Sequence, residues 1–307
     1  MTGGDFAPLE AIKGAQQYLL EVQNGAHLFL IGDEAQLQPL IAEYALPADR
    51  FTIAHAPEVI GMHEHPTKAL KEKQKSSIAV GFYLLAKGHI DAFISAGNTG
   101  AMLVGSLYSL KPLEGVLRPT ISTIIPKEDG STGLLLDVGL NSDCKPEHLN
   151  QFAVMGSVYA QNILGIEAPR VALLNIGEEE GKGNLLAQAT QPLLKDNHHI
   201  NFVGNVEGRD ILKDKADVMV CDGFTGNIIL KLAESLFEIT HKKDIRHEYL
   251  DRFNFENYGG TPVLGIAKPV IIGHGISKSQ SFTNKILLAQ IIIEKDVMQK
   301  LAAELKA

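Results

Sequence analysis

Cysteine is scarce: Cys144 and Cys221 are the only two in 307 residues. Two cysteines exclude a disulfide scaffold and fit a reducing cytoplasm. Tryptophan is absent and tyrosine numbers seven, which leaves no aromatic platform for nucleic-acid bases. No apolar run reaches the roughly 18 residues of a membrane span; the richest, Ile286 to Ile293, is interrupted by Gln290. The N-terminus lacks a basic region followed by an apolar core, so no secretory signal is expected. Positive charge is also in deficit. Lys and Arg total 28 against 36 Asp and Glu, a net charge of −8, which argues against indiscriminate binding to nucleic acid. Gly-x-Ser-x-Gly and a helical His-Glu-x-x-His do not occur, so a hydrolase elbow and a zincin site are unsupported. There is no low-complexity segment and no fixed-period repeat.

What the chain does have is a rhythm. A short Val/Ile/Leu run ends in glycine and small polar residues, and an amphipathic segment follows. Such runs read as strands buried on both faces, and the alternation predicts an α/β fold around a mostly parallel sheet. Five junctions carry it. Ile90 to Ile94 leads into Ser95-Ala-Gly-Asn-Thr-Gly100, and Leu134 to Leu136 into Asp137-Val-Gly-Leu-Asn141, with Pro146 suited to a helix start. Val171 to Ile176 leads into Gly177-Glu-Glu-Glu-Gly-Lys-Gly-Asn184. Val218 to Val220 leads into Cys221-Asp-Gly-Phe-Thr-Gly-Asn227, and Val270 to Ile272 into Gly273-His-Gly-Ile-Ser277. A plainer sixth is Leu28 to Ile31. With no Ser/Gly linker, residues 1–307 read as a single domain with two excursions. Residues 111–127, with Pro112, Pro119 and Pro126, suggest an extended arm or edge. Residues 240–258 are charged and aromatic without a clear period. Ser279 to Lys306 predicts one long C-terminal helix.

Ligands of an open parallel sheet bind beyond the carboxyl ends of its strands. Glycine there lets backbone approach closely, and free amides at a helix start favour anions. Five such loops point to a phosphate or pyrophosphate ligand. Ser95, Gly97, Asn98, Thr99 and Gly100 form the best phosphate cradle; Asn98 or Thr99 as a simple helix cap is the competing interpretation. Gly177 to Asn184 fails as a Walker A loop, because three residues rather than four separate Gly177 from Gly181 and Gly183 follows Lys182. Lys182 remains a candidate to counter anionic charge, while Glu178, Glu179 and Glu180 read as solvated or paired. Asp222, Thr225 and Asn227 place a carboxylate, a hydroxyl and an amide around one turn. His274 is a candidate acid or base. Cys221 reads as a small buried hydrophobe. His63, Glu64 and His65 suggest a flexible loop. Glu64 to Lys75 is the most basic window, with Lys68, Lys71, Lys73 and Lys75 against Glu64 and Glu72.

Gly3-Gly-Asp-Phe-Ala-Pro8, Ser95 to Gly100, Asp143-Cys-Lys-Pro-Glu-His148, Asn175 to Asn184, Glu207-Gly-Arg-Asp210, Asp222 to Asn227 and Tyr258-Gly-Gly260 occur in this order along almost the whole chain. In this the sequence resembles the bacterial phosphate acyltransferases, the fatty acid/phospholipid synthesis proteins (PlsX). The resemblance implies a three-layer α/β/α fold similar to isocitrate/isopropylmalate dehydrogenase and to phosphotransacetylase. It implies transfer of a long acyl group from acyl carrier protein to inorganic phosphate, giving acyl phosphate for phospholipid biosynthesis. It further implies a cytoplasmic homodimer, peripheral to the inner face of the membrane, whose product feeds a membrane glycerol-3-phosphate acyltransferase. No cofactor, metal or nucleic-acid partner is implied. Two departures stand out. Members of the family begin with an apolar strand before the Gly-Gly-Asp motif, where only Met1 and Thr2 precede Gly3 here, so the sheet is expected to lack a strand beside Asp5. The segment before Tyr258 is shorter and more charged than in many members.

Inorganic phosphate is already a competent nucleophile near neutral pH, so the expected catalysis is positioning plus oxyanion stabilisation. Gly97 to Gly100 are expected to hold phosphate, with Asp5, Asn141, Gly177 and Gly181 completing the substrate-binding set. Lys182 is expected to offset charge. Asn227 or amides near Gly226 would face the oxyanion, Asp222 and Thr225 would order their loop, and His274 would protonate the leaving thiolate. Direct attack is favoured over an acyl-enzyme. The competing functions are a short-chain phosphotransacetylase using acyl-CoA, a 3-hydroxy-acid dehydrogenase, and a non-catalytic scaffold for acyl carrier protein. The dehydrogenase is disfavoured by the six arginines, none of which falls in a junction loop.

Overall fold

The computed structural model describes residues 1–306, with the side chains of Phe255 and Glu256 excepted. In chain order the first elements are α1 (Leu9–Glu21), β1 (Leu28–Gly32), α2 (Glu34–Glu43), β2 (Phe51–His55), α3 (Pro66–Glu72), α4 (Ser77–Lys87), β3 (Phe93–Ser95) and α5 (Thr99–Ser109). Next come β4 (Thr120–Pro126), β5 (Thr132–Leu136), α6 (Pro146–Tyr159), β6 (Arg170–Asn175), α7 (Leu185–Lys195), β7 (Asn201–Glu207), β8 (Val218–Val220) and α8 (Gly223–Lys242). The chain closes with α9 (Glu248–Asp251), β9 (Thr261–Leu264), β10 (Val270–Ile272), α10 (Ser279–Glu294) and α11 (Val297–Glu304).

These elements sort into two compact units. Unit 1 takes Met1–Lys111 and Glu256–Glu294; unit 2 takes Pro112–Phe255 and the segment from Lys295 onward. In unit 1, β1 and β2 form a parallel pair, and β3 lies parallel to β10, which is antiparallel to β9. Its apolar core gathers Ile12, Tyr18 and Leu19 of α1 with Leu30 and Leu37, and α1 packs along α10. Unit 2 has the strand order β4-β5-β8-β6-β7, parallel except for β4 against β5. The helix α6 covers β5, β6 and β8, α7 packs on β6 and β7, and α11 packs on α6.

All six expected strands form. Three other expectations change. The second half of the 111–127 arm is β4, almost wholly buried. Its prolines sit at Pro119, before the strand, and at Pro126, its last residue, so the ladder survives them. The long C-terminal helix is two, because Asp296 adopts a left-handed φ of +50° between α10 and α11. The 240–258 excursion begins as the last turn of α8, a 20-residue helix that starts at Gly223. Among the described residues, no helix is long and apolar enough to cross a membrane.

Unit 2 is braced by an ion network that is buried at Lys127 and Asp217 and reaches the surface at Arg170 and Asp214. Lys127 is 1% exposed and donates to Asp214 (3.0 Å) and Asp217 (2.8 Å). Arg170 donates to Asp217 from both Nε and Nη2, each at 2.9 Å, and bonds to Asp214 as well. Burial would raise the Asp217 pKa; the hydrogen bonds from Arg170 and Lys127 overcome it and hold the carboxyl well below the usual range.

Candidate functional site

In unit 1, three glycine-rich loops converge at the end of β3. Gly3 lies so close to the Ser95–Gly100 loop that a Cβ on it would sit 2.5 Å from Gly97 Cα. Gly4 has φ +98°, and a Cβ there would lie 2.9 Å from the Gly275 carbonyl oxygen. Only glycine fits both positions. The Asp5 amide donates to Gly275 O at 2.7 Å, and the Gly273 amide donates to Ser95 O at 2.8 Å, tying in the loop that carries His274. Asp5 and Thr99 are exposed there and His274 is half-buried.

Asn98 plays a different part from the one expected. It caps α5, its Oδ1 accepting from the Ala101 amide at 2.9 Å. Its Nδ2 donates to the carbonyls of Gly61 (2.9 Å), Met62 (3.2 Å) and Glu64 (3.1 Å), and the residue is 4% exposed. Every polar atom of the side chain is engaged inside the protein, so Asn98 positions the loop. Ser95 Oγ is used similarly, accepting from the Gly97 amide at 3.1 Å. The Gly61–Glu64 segment, expected to be flexible, is the partner of Asn98. Glu64 Oε1 accepts from the Gly61 amide (2.7 Å) and pairs with Lys73, which also donates to Val59 O at 2.7 Å. Lys73 therefore leaves the basic window, while Lys68, Lys71 and Lys75 stay exposed.

In unit 2 the loop after β5 is organised by Asp137, which sequence reasoning passed over. It is 0% exposed. Its carboxylate accepts from the amides of Gly139 (3.2 Å), Leu140 (3.1 Å) and Asn141 (2.7 Å) and from Asn141 Nδ2 (2.7 Å). Burial pushes its pKa up, and these hydrogen bonds pull against it. Asn141 also donates to Pro119 O at 2.8 Å; being buried and engaged, it builds the loop and is withdrawn as a substrate ligand. An Asp where a Leu-rich strand meets glycine was the signal available in the sequence.

Next to this loop, Asp222 caps α8. Its Oδ1 accepts from the Thr225 amide (2.9 Å) and its Oδ2 from the Thr225 hydroxyl (2.8 Å). A Cβ on Gly226 would lie 1.9 Å from Asp137 O, so α8 starts flush against the β5 loop. Asn227 is exposed beside Gly139. On the β6–α7 loop, Lys182 and Gly181 are exposed and Gly177 is buried. Lys182 forms no ion pair among the described residues, whereas Glu178 and Glu180 pair with Lys215 and Lys195. Burial pushes the Cys144 thiol up to about 12 and Cys221 well above its usual value, which removes both as ready nucleophiles. Among the described residues no group of three or more His, Cys, Asp or Glu is placed to hold a metal.

The structure thus gathers Asp5, Ser95, Gly97, Asn98, Thr99, Gly100 and His274 in unit 1. It gathers Asn141, Asp222, Thr225, Gly226 and Asn227 in unit 2, with Gly177, Gly181 and Lys182 on a separate loop of the same unit. Each unit also holds a cavity. That of unit 1, about 400 Å³, is lined by β1, β3, α1 and α10. Among the described residues of unit 1, β1 pairs with β2 and β3 with β10. The Met1 amine donates to Ile31 O at 2.7 Å; burial lowers its pKa to about 5. The unit 2 cavity, about 440 Å³, lies between β6, α6, α7 and the start of α8.

Comparison with known proteins converges on one family. Residues 1–248 match the family described as Fatty acid synthesis protein. A phosphate acyltransferase of Dictyoglomus thermophilum is 43% identical over 318 residues, covering 97% of this chain and 94% of that protein. The phosphate acyltransferase of Aquifex aeolicus is 43% identical over 324 residues, covering 99% and 95%. In fold, the chain is similar to a phosphotransacetylase from Streptococcus pyogenes, with a TM-score of 0.65, 17% identity and coverage of 94% and 92%. The sequence, the α/β architecture with its mostly parallel sheet and the glycine-rich loops agree, and the chain belongs to the fatty acid synthesis protein family of phosphate acyltransferases.

Proposed function

We propose that this protein transfers a long acyl group from acyl carrier protein to inorganic phosphate. A phosphate oxygen attacks the thioester carbonyl, the C–S bond breaks, and the carrier thiol leaves with a proton. Family membership supports the reaction. The observation that carries it is the unit 1 cluster, where Gly3 and Gly4 pack closely on the Ser95–Gly100 loop and leave Thr99 at its tip open to a small anion. Phosphate needs positioning rather than deprotonation, and a thiol of pKa near ~8.5 is a good leaving group. The amides of Asn98 to Gly100 and the Thr99 hydroxyl hold phosphate, with Gly97 and Ser95 shaping the loop and Asp5 at its edge. Lys182 supplies a cation to the anionic reactants. Asn227, exposed on the first turn of α8, stabilises the oxyanion, and Asp222, Thr225 and Gly226 fix that turn. His274 gives its proton to the thiolate. The shifted thiols of Cys144 and Cys221 support direct attack over an acyl-enzyme.

We further propose a cytoplasmic homodimer whose acyl phosphate passes to a membrane glycerol-3-phosphate acyltransferase. One face of α8 exposes Phe224, Ile228, Leu232, Leu236 and Ile239, a stripe at helical spacing suited to a second copy. Lys68, Lys71 and Lys75 offer a basic patch to the acidic carrier protein. The test is phosphate-dependent thiol release from palmitoyl-acyl carrier protein, with hydroxylamine trapping of acyl phosphate. Preference for acetyl-CoA would move the protein to short-chain phosphotransacetylase activity. A folded protein that releases no thiol would leave the scaffold role.

A further inference from the structure

The unit 2 cavity has no role in the chemistry above. Its apolar wall comes from Leu149 of α6, Leu173 and Leu174 of β6, Ile176 just beyond that strand, and Leu186 and Ala187 of α7. Ile176 stands at the rim, 79% exposed. The polar lining is already engaged. Asp222 is closed on Thr225 by two hydrogen bonds. Asn184 Oδ1 accepts from the Ala187 amide at 2.8 Å, Asn175 Nδ2 donates to Lys182 O at 3.1 Å, and Asn175 Oδ1 accepts from the Ile176 amide at 2.8 Å. The floor strand β6 is paired with β7 from Arg170 to Asn175 and with β8 from Val171 to Leu173, so most of its backbone is already engaged. A space with apolar walls and satisfied polar groups suits a hydrocarbon chain.

We propose that the unit 2 cavity houses the hydrocarbon tail of the acyl substrate, and that Leu186 and Ala187 set the length it accepts. This rests on the acyl-transfer function proposed above. The headgroup end is marked by Asp222 and Thr225, which line the same cavity at the start of α8.

Two measurements test it. In the first, the full chain is titrated with cis-parinaric acid, a fluorescent long-chain probe, and the probe is displaced with palmitate and with butyrate. Wild type is expected to bind the probe and release it to palmitate but not to butyrate. Ala187→Phe, which fills the cavity, is expected to weaken probe binding at least tenfold, since each methylene denied burial costs about fourfold. In the second, kcat/KM is compared for palmitoyl- and butyryl-acyl carrier protein. Ala187→Phe is expected to lower the palmitoyl-to-butyryl ratio at least tenfold, and Leu186→Ala to raise the stearoyl-to-palmitoyl ratio. If Ala187→Phe does not fold, Leu186→Ala carries the test. An equal loss at every chain length, or probe binding untouched by both variants, overturns the assignment. Probe binding that the variants weaken, in a protein without phosphate-dependent turnover, upholds the cavity and overturns the function instead.

Discussion

The two units face one mechanical problem, holding a loop rigid where a strand gives way to a helix, and meet it with different chemistry. Unit 1 uses mostly neutral groups, with one half-buried ion pair, Glu64 and Lys73, steadying the Gly61–Glu64 segment. Gly3 and Gly4 let backbone touch backbone, and the Asn98 amide ties its own loop to three carbonyls of the Gly61–Glu64 segment. Unit 2 uses charge. The buried Asp137 carboxylate gathers the amides of its loop, and Lys127 and Arg170 clamp Asp214 and Asp217 at the far end of the sheet. Neutral ties are indifferent to pH, whereas a buried carboxylate is strong only while its protonation state is right. Acid should therefore separate the two units.

The sharpest break in unit 2 is Gly226→Ala. The added methyl meets the Asp137 carbonyl at 1.9 Å, so the helix must move away from the β5 loop. A loss of more than about 4 kcal/mol is expected in denaturant unfolding, an exceptional value for one methyl group. Next is Lys127→Met, which leaves Asp217 buried with one cation fewer; about 3 kcal/mol should be lost. The same network sets the pH response. The Asp217 pKa is lower folded than unfolded, so its stabilisation is complete above the unfolded value of about 3.9 and fades as pH falls through the folded one. Hydrogen exchange from pH 4 to pH 2 should show β6 and β8 losing protection before β3 and β10, and Lys127→Met should reduce that difference. Equal loss in both units would remove the contrast.

In unit 1, Asn98→Ala removes the α5 cap and the ties to three carbonyls. It should cost about 2 kcal/mol and raise the phosphate KM by loosening the loop, while Asn98→Asp keeps the cap and recovers part of the stability. Smallest in stability is Lys182→Ala, within about 0.5 kcal/mol as for an exposed side chain. It should still raise the phosphate KM about tenfold, the size of one lost charge contact. A variant with wild-type kinetics would take Lys182 out of the proposed site.

The strands were legible because each is a short Val/Ile/Leu run closed by glycine, and the caps at Asn98 and Asp222 because small polar residues precede apolar periodicity. The division into units was not. The chain passes between them at Lys111, Phe255 and Glu294, and none of these points carries the Gly/Ser composition that marks a linker. The break between α10 and α11 was hidden because it rests on a left-handed Asp296, where neither Pro nor Gly gives warning. At the candidate site, residue types that serve phosphate also serve a tight loop. Asn98 and Asn141 proved to be engaged internally, and only tertiary neighbours far along the chain, Gly61 and Pro119, distinguish the two uses.

The threefold passage between units also bears on how the protein is made. Unit 1 is assembled from both ends of the sequence: β3 has its parallel neighbour in β10, and α1 packs on α10. A ribosome delivers the N-terminus first, so β3 and α1 emerge long before the residues that cover them. During that interval the nascent chain carries exposed apolar helix and open strand, whereas all five strands of unit 2 emerge without interruption from β4 to β8. The sheet of unit 2 can close while synthesis continues, with α11 added to α6 later; unit 1 must wait for β9, β10 and α10, and that wait is when the chain is most exposed to misassociation.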